Sequence, residues 1–332
     1  MWVPCDVFYL ITKFCDTSTK IKFNLACPRW KSDISWSQEE CQKQLLGAII
    51  QGDLRCVRRL LQHPKVHPAE NNSETIREAT YHNQTDIVKI LLEDPRVDPV
   101  VLHKGTIRWA NFETMQVLLR DPRVDPSACF NEALIFASKC NDVKCVRLLL
   151  NDPRIDPTKT DVDGNEAIHW ASAEGHVDVV HMLLNDARVD PTKWDNYALR
   201  IASEYGRAEV IQLLLLDPRV DPTAEDNHPV RRASQQNHVD AVRVLLKDPR
   251  VNPAALDNFA IREACYEGCT AVVRLLLTDP RVDPAAQNNK ALRMARKFKF
   301  YEIQSLLMSD PRVSHKCPMI MRPIKLQLYK IV

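Results

Sequence analysis

Asp217-Pro218-Arg219-Val220-Asp221-Pro222 stands directly after the pair Leu215-Leu216, and the same hexapeptide recurs at Asp94 to Pro99, Asp121 to Pro126 and Asp279 to Pro284. Variants fill the other registers. The first proline or its substitute falls at Pro64, Pro95, Pro122, Pro153, Ala187, Pro218, Pro249, Pro280 and Pro311, in steps of 31, 27, 31, 34, 31, 31, 31 and 31 residues. A fixed period in this range marks a solenoid, in which each unit buries its apolar face only against its neighbours. About nine units then form one stacked array over residues 39–313, rather than the two globules a length of 332 residues would suggest. A stacked array offers a long surface, and catalysis is not its natural product.

A second anchor is an alanine preceded three residues earlier by Leu, Ile or Val: Ala48, Ala79, Ala110, Ala137, Ala171, Ala202, Ala233, Ala264 and Ala295. The pattern predicts a short helix around each. Four residues on comes a residue that tolerates positive φ, such as Gly52, Asn83, Asn141, Gly175, Gly206, Asn237 or Gly268, as a tight turn between helices requires. A second helix follows. Val177, Val180, Leu183 and Leu184 fall on one helical face, and Val239, Val242, Leu245 and Leu246 repeat the spacing. Acidic residues open many of these helices (Asp86, Asp142, Asp178, Glu209, Asp240), where they suit the positive end of the helix dipole. The Asp-Pro step closes them, because a residue before proline is pushed out of the α region and proline has no N–H to donate.

A helix, turn, helix and return loop at this period resembles the ankyrin repeat. The stretch from Asp161 to Leu184 is similar to that family's signature almost throughout, with Glu166, Ala167, Ile168, His169, Trp170 and Ala171 standing at its T-P-L-H-x-A. The resemblance implies an all-α ankyrin solenoid that binds another protein. Other units lack the residues that Asp161 to Gly164 add, so their hairpin fingers are expected to be clipped to plain loops. The step of 27 has another origin: Ala110 to Pro122 spans 12 residues where other units have 16, which predicts a local distortion with part of the inter-helix turn removed. Shortened units with Asp-Pro-Arg turns resemble ankyrin proteins of protists and large DNA viruses.

Two rows of arginine follow the period. Where the family places His in the first helix, this chain has Arg77, Arg108, Arg200, Arg231, Arg262 and Arg293, with His169 retained and Ile135 as an exception. The loops add Arg96, Arg123, Arg154, Arg188, Arg219, Arg250, Arg281 and Arg312. A cationic track for an acidic partner is one reading, since guanidinium binds carboxylate and phosphate bidentately. The favoured reading is structural, with the loop arginines paired to Asp98, Asp125, Asp156, Asp190, Asp221 and Asp283, two residues further on. The partner surface is expected at the ends of the first helices and at the loop tips, the family's concave face: Tyr81, His82, Glu174, Trp194, Glu204, Tyr205, Gln235, Gln236, Tyr266 and Glu267, with Lys139, Ala173, Asn196, Lys297 and Phe298 beside them. Tyr and Trp are favoured interface anchors, which singles out Tyr81, Trp194, Tyr205 and Tyr266.

The region 1–38 lies ahead of the array. Val7, Leu10, Ile11 and Phe14 share one helical face, and a polar Asp16-Thr17-Ser18-Thr19 turn precedes Ile21, Leu25 and Ala26. This small helical module resembles an F-box, whose outline is a leading Leu-Pro, a helix with Ile and Leu, a turn and a Val-Cys-x-x-Trp ending. Pro4, Val7, Ile11, Phe14, Leu25, Cys27 and Trp30 match it; Val3 replaces Leu and Pro28 departs from it. The resemblance implies that Pro4, Val7, Ile11, Phe14, Leu25 and Trp30 dock on the linker subunit of a cullin-type (SCF-like) ubiquitin ligase while the ankyrin arc holds the target. The alternatives are a helical cap over the first repeat and a free-standing ankyrin scaffold or competitor with no ligase role. The tail, residues 314–332, is basic and apolar and reads as a second cap or as an arm for an acidic partner.

The bulk properties fit this picture. A formal net charge of +2 gives no field that favours nucleic acid. The 11 cysteines are odd in number, with no C-x-x-C pair, and read as reduced, buried thiols of a cytoplasmic or nuclear protein, in the host cytoplasm if viral. No signal peptide and no membrane span is expected at the N-terminus or elsewhere. No nucleotide, zinc-hydrolase or serine-hydrolase motif occurs, so the expectation is a monomeric non-enzyme with no cofactor, no metal and no catalytic residue.

Overall fold

A computed structural model describes residues 37–314, apart from residues 105, 162, 163 and 165, and these are all-α with no strand among them. The F-box-like residues Pro4, Val7, Ile11, Phe14, Leu25 and Trp30 and the tail from residue 315 lie outside the described residues. The array opens with α1 (Gln38–Gln51), capped by Ser37, whose Oγ accepts from Glu40 N while Ser37 N donates to the Glu40 carboxylate. First helices continue as α3 (Glu70–Tyr81), α6 (Ala128–Lys139), α8 (Ala167–Glu174), α10 (Lys193–Glu204), α12 (Ala224–Gln235), α14 (Ala255–Glu267) and α16 (Ala286–Lys297). Second helices are α2 (Leu54–Leu61), α4 (Thr85–Glu93), α5 (Phe112–Arg120), α7 (Val143–Leu150), α9 (Val177–Leu184), α11 (Ala208–Leu216), α13 (Val239–Lys247), α15 (Thr270–Leu277) and α17 (Tyr301–Ser309), and α18 (Pro311–Ser314) follows. First helices pack on neighbouring first helices and second helices on second helices, the edge-to-edge nesting the period predicts.

Small residues set the first-helix spacing and larger ones the second. Ala79, Ala171, Ala202, Ala233, Ala264 and Ala295 are fully buried, and Val180, Leu183, Val242 and Leu245 fill the layer behind them in one continuous core. The turn residues adopt the expected left-handed conformation, with φ of 54° at Asn83, 69° at Gly206 and 62° at Asn237.

The loop arginines are structural, but their aspartate is not the expected one. Each pairs with the Asp two residues before it, as Arg96 does with Asp94 through Nε to Oδ1 (2.9 Å) and Nη2 to Oδ2 (2.6 Å). The same guanidinium reaches back to the previous unit, Nη1 to the Val66 carbonyl (3.0 Å) and Nη2 to that of Leu61 (2.8 Å). Arg154 repeats this on Val124 and Leu119, Arg188 on Ile155 and Leu150, Arg281 on Val251 and Leu246, and Arg312 on Val282 and Leu277. The later aspartates instead close local turns: Asp190 Oδ1 accepts from Thr192 N and Oγ1, and Asp221 from the same groups of Thr223.

The clipped fingers are not plain loops either. Trp194-Asp195-Asn196, Glu225-Asp226-Asn227, Leu256-Asp257-Asn258 and Gln287-Asn288-Asn289 each take three consecutive positive φ values, between 47° and 60°. These are single left-handed turns, a conformation that costs L-residues roughly 1–2 kcal/mol each and is easiest for Asn and Asp. Two contacts hold them. The third residue is a buried Asn, and in the first three turns its Oδ1 accepts from the next unit: Asp221 N at Asn196 (2.8 Å), Asn252 N at Asn227 (2.6 Å) and Asp283 N at Asn258 (2.6 Å). The first-helix arginine then donates to the turn's own carbonyls, Arg231 to Asp226 (2.9 Å) and Glu225 (2.8 Å), and Arg262 to Asp257 (3.0 Å) and Leu256 (2.9 Å). At Arg200, Arg231, Arg262 and Arg293 the residue at the signature's His position therefore answers to the left-handed turn, whereas Arg108 of the shortened unit pairs with Glu132 and His169 stands in the unit that keeps Asp161 to Gly164.

The shortened unit is distorted as expected, though the loss falls on the helix as well as the turn. Its first helix shrinks to two 3₁₀ segments, Pro99–Lys104 and Ile107–Trp109, so Ala110 caps a 3₁₀ turn instead of lying within a helix. Asn111 then caps α5 directly, its Oδ1 accepting from Thr114 N (2.9 Å).

The Asn227→Ala variant tests the turn. It leaves Asn252 N without its acceptor in a part-buried place and removes a residue suited to positive φ, so a loss of about 1–3 kcal/mol is expected. Urea unfolding of the full chain measures it; an unchanged midpoint would show that the turn needs no such staple.

Candidate functional site: the first-helix face

The ends of the first helices carry a broken line of aromatic rings. Tyr81 meets His82 edge-on (5.2 Å between centroids) and Trp109 (5.9 Å), and Trp109 meets Phe136 (4.8 Å). The Arg108 guanidinium lies over both rings, 5.0 Å from Trp109 and 5.9 Å from Phe136, and is ion-paired to Glu132. Lys139 Nζ sits 3.8 Å above the Trp170 ring. Cations over aromatic faces are attracted by the ring quadrupole, which holds this strip in one arrangement.

Further along, Arg232 joins Glu204 (2.8 Å) to Gln235 (2.8 Å), and Tyr205 beside them is 55% exposed. Tyr266 is 44% exposed and meets Phe298 edge-on at 4.9 Å. Glu174, Gln236 and Glu267 are exposed at the same helix ends, and His82 Nε2 lies 3.5 Å from the Glu78 carboxylate. Trp194, 62% exposed, is not part of this line. It tips a left-handed turn at the opposite end of α10 from Tyr205, and Asn196, expected beside it on the surface, is buried.

What holds these exposed side chains still lies beneath them. In most repeats the residue that starts the second helix slots under the preceding inter-helix turn. His176 Nε2 bonds the Lys139 carbonyl (2.9 Å), Arg207 Nε donates to that of Ala173 (2.8 Å), His238 Nε2 bonds that of Glu204 (2.8 Å) and Cys269 Sγ that of Gln235 (3.6 Å). The turn must be bare where these side chains pass: a Cβ on Gly206 would lie 2.5 Å from the His238 ring, and one on Gly268 2.8 Å from Phe300.

Sequence reasoning missed Trp109, Phe136 and Arg232 as surface residues. A signal was there: all three directly precede an anchor alanine (Ala110, Ala137, Ala233), as Trp170 precedes Ala171. Among the described residues no group of three or more His, Cys, Asp or Glu could hold a metal ion, and no helix is long and apolar enough to cross a membrane.

Residues 102–195 match the family model for ankyrin repeats, three copies. That segment is made of ankyrin repeats. The same helix–turn–helix unit continues on both sides of it, so the described array is an ankyrin-type solenoid. Among solved structures, the ankyrin repeat protein EF0377 is 22% identical, with 53% of this chain and 96% of that chain covered and a TM-score of 0.47. An ankyrin repeat domain from Acinetobacter baumannii AYE is 21% identical over 53% of this chain and 95% of that chain, with a TM-score of 0.45. No curated protein matches the chain.

The ankyrin segment contains the retained His169. It is buried, its Nδ1 accepts from Glu166 N (3.1 Å), and Tyr197 of the next repeat meets it edge-on at 4.9 Å. Burial, with Lys193 nearby, lowers its pKa from 6.5 to about 4. The folded state therefore holds a neutral ring where the unfolded chain takes up a proton. Stability from this group is complete above the unfolded value and falls as the pH drops from 6.5 towards 4, by on the order of 3 kcal/mol at most. His169→Gln keeps an acceptor without the titration, so unfolding of wild type and variant at pH 7 and pH 5 should show a steeper acid loss in wild type. Parallel losses would reject the assignment.

Proposed function

We propose that the first-helix face receives a protein partner, anchored on Tyr205 and Tyr266. Ankyrin repeats mark a protein–protein interaction module, and these residues are what this chain adds. The observation that carries the reading is a pair of exposed rings on a clamped frame: Tyr205 follows Glu204, whose carbonyl is held by His238, and Tyr266 packs edge-on against Phe298. A ring already held in place loses little freedom on binding, and tyrosine anchors dominate many interfaces. His82, Glu174, Gln236 and Glu267 form the polar surround in this reading, with Tyr81 at the other end of the face.

The finer proposal is that the partner is the target of a cullin-type ubiquitin ligase, with Pro4, Val7, Ile11, Phe14, Leu25 and Trp30 docking on the ligase linker subunit. Its support is the F-box-like outline at those positions in the sequence. Buried thiols such as Cys145 and Cys265 suit the reducing cytoplasm or nucleus where such a ligase works.

Affinity capture from the native source with mass spectrometry tests both levels. The double variant Tyr205→Ala, Tyr266→Ala should weaken target recovery at least about 30-fold, corresponding to roughly 2 kcal/mol, while the unfolding midpoint stays in place. Undiminished recovery would move the interface elsewhere. Deletion of residues 1–36 should abolish recovery of the ligase linker and leave the target bound. A target captured with no linker from the full chain would favour a free-standing scaffold.

A further inference from the structure

The junction that follows the shortened repeat lacks its plug. Gln84, His176, Arg207, His238, Cys269 and Phe300 each slot their side chain against the preceding turn, but the residue at that register after the shortened repeat is Asp142. Its Oδ1 is turned to the start of its own helix, accepting from Cys145 N (3.0 Å), and a carboxylate cannot donate to a carbonyl as the His and Arg plugs do. The missing turn residues widen the gap on the other side, where Asn83 staples the truncated segment away through Asn111 N (2.6 Å) and the Trp109 carbonyl (3.3 Å). The result is a cavity of about 150 Å³ that opens on the first-helix face beside Trp109.

We propose that this cavity is a socket for one aromatic side chain of a protein partner. The inference deepens the partner-binding reading and rests on it. Size is the first argument: about 150 Å³ is the volume of a cavity known to take up a benzene ring, although here Arg108, Asn111 and Asp142 share the lining with apolar side chains. Chemistry is the second. The apolar part of the wall includes Met115, Ala133, Phe136, Ala137 and Cys145, and thioether and thiol sulfurs favour ring edges. Phe136 and Trp109 already meet edge-on at the mouth, where another ring extends the same geometry. Polarity is the third. Arg108 and Asp142 rim the cavity, so the hydroxyl of a tyrosine or the indole N–H of a tryptophan finds a charged partner at the mouth while the ring sits below.

The test uses the full chain with p-cresol and 3-methylindole as stand-ins for the tyrosine and tryptophan side chains, and isobutanol as an aliphatic one, read by saturation-transfer NMR. Both rings should receive saturation and isobutanol should not. Asp142→His restores the plug that His176 and His238 supply at the equivalent junctions, and should cut transfer to the rings at least fivefold. Ala137→Leu, filling the cavity from the facing helix, should do the same, and the unfolding midpoint of each variant establishes that it is folded. No transfer to the rings in wild type, preferential transfer to isobutanol, or ring transfer unchanged in folded Asp142→His would overturn the proposal. The probes need no partner, so failure here leaves binding through Tyr205 and Tyr266 standing, and failure of that binding leaves the socket standing.

Discussion

The guanidinium of the Asp-Pro-Arg turn is the contact on which the array depends. A helix leaves its last carbonyls without intrahelical partners, and a short unit has little chain to spare for capping them. Here the cap comes from the next repeat: Arg96 closes the end of α2 through Leu61 and Val66, and Arg312 closes α15 through Leu277 and Val282. A cation at a helix C-terminus also meets the favourable end of the dipole. The Asp two residues earlier holds the fork in place, and its carboxyl is kept below the usual range by the arginine, as at Asp94 and Asp310. Each repeat is thus completed by its successor, which is why single units of this kind do not stand alone.

The same logic explains the left-handed turns. Removing the hairpin finger shortens the path between helices, and a turn of opposite hand makes the connection in three residues. That choice carries a steric cost, and the sequence meets it with Asn at the third position and Arg four residues further on. Asn258 serves both needs, tolerating positive φ and accepting from Asp283 of the next unit. The unit holding His169 retains Asp161 to Gly164 in its sequence and has no Arg at the signature's His position. Glu166 and Lys193 tie it to its neighbour instead, at 2.6 Å.

Much of this was legible in the sequence because periodicity is a long-range signal that a single chain carries by itself. The step from Pro95 to Pro122 located the distorted repeat, and the alanine register located the first helices. What was not legible was direction. Arg219 has Asp217 and Asp221 equally distant along the chain, and only the fold of the turn decides that the first is its partner. The hand of the turn at Glu225 to Asn227 was hidden for a similar reason, since Asp and Asn suit ordinary turns as well. Of the expected surface, Tyr205 and Tyr266 stand out as foreseen, whereas Trp109 and Phe136 emerge from the shortened repeat, where the family pattern gives no guide.

The left-handed turn separates what must be kept from what can change. Its second and third residues are constrained by backbone hand and by the staple, but its first residue is Trp194, Glu225, Leu256 or Gln287 in successive repeats, with no shared size, charge or polarity. At Trp194 and Leu256 it is the carbonyl that the frame grips, through Arg200 and Arg262, whereas the Glu225 carboxylate pairs with Arg200 (2.8 Å) and the Gln287 amide bonds Arg262 and Asp257 (both 3.0 Å). A fingertip held only by its backbone, such as Trp194 or Leu256, can be rewritten while the scaffold beneath goes untouched, whereas one whose side chain joins the frame, such as Glu225 or Gln287, can change only together with its partner.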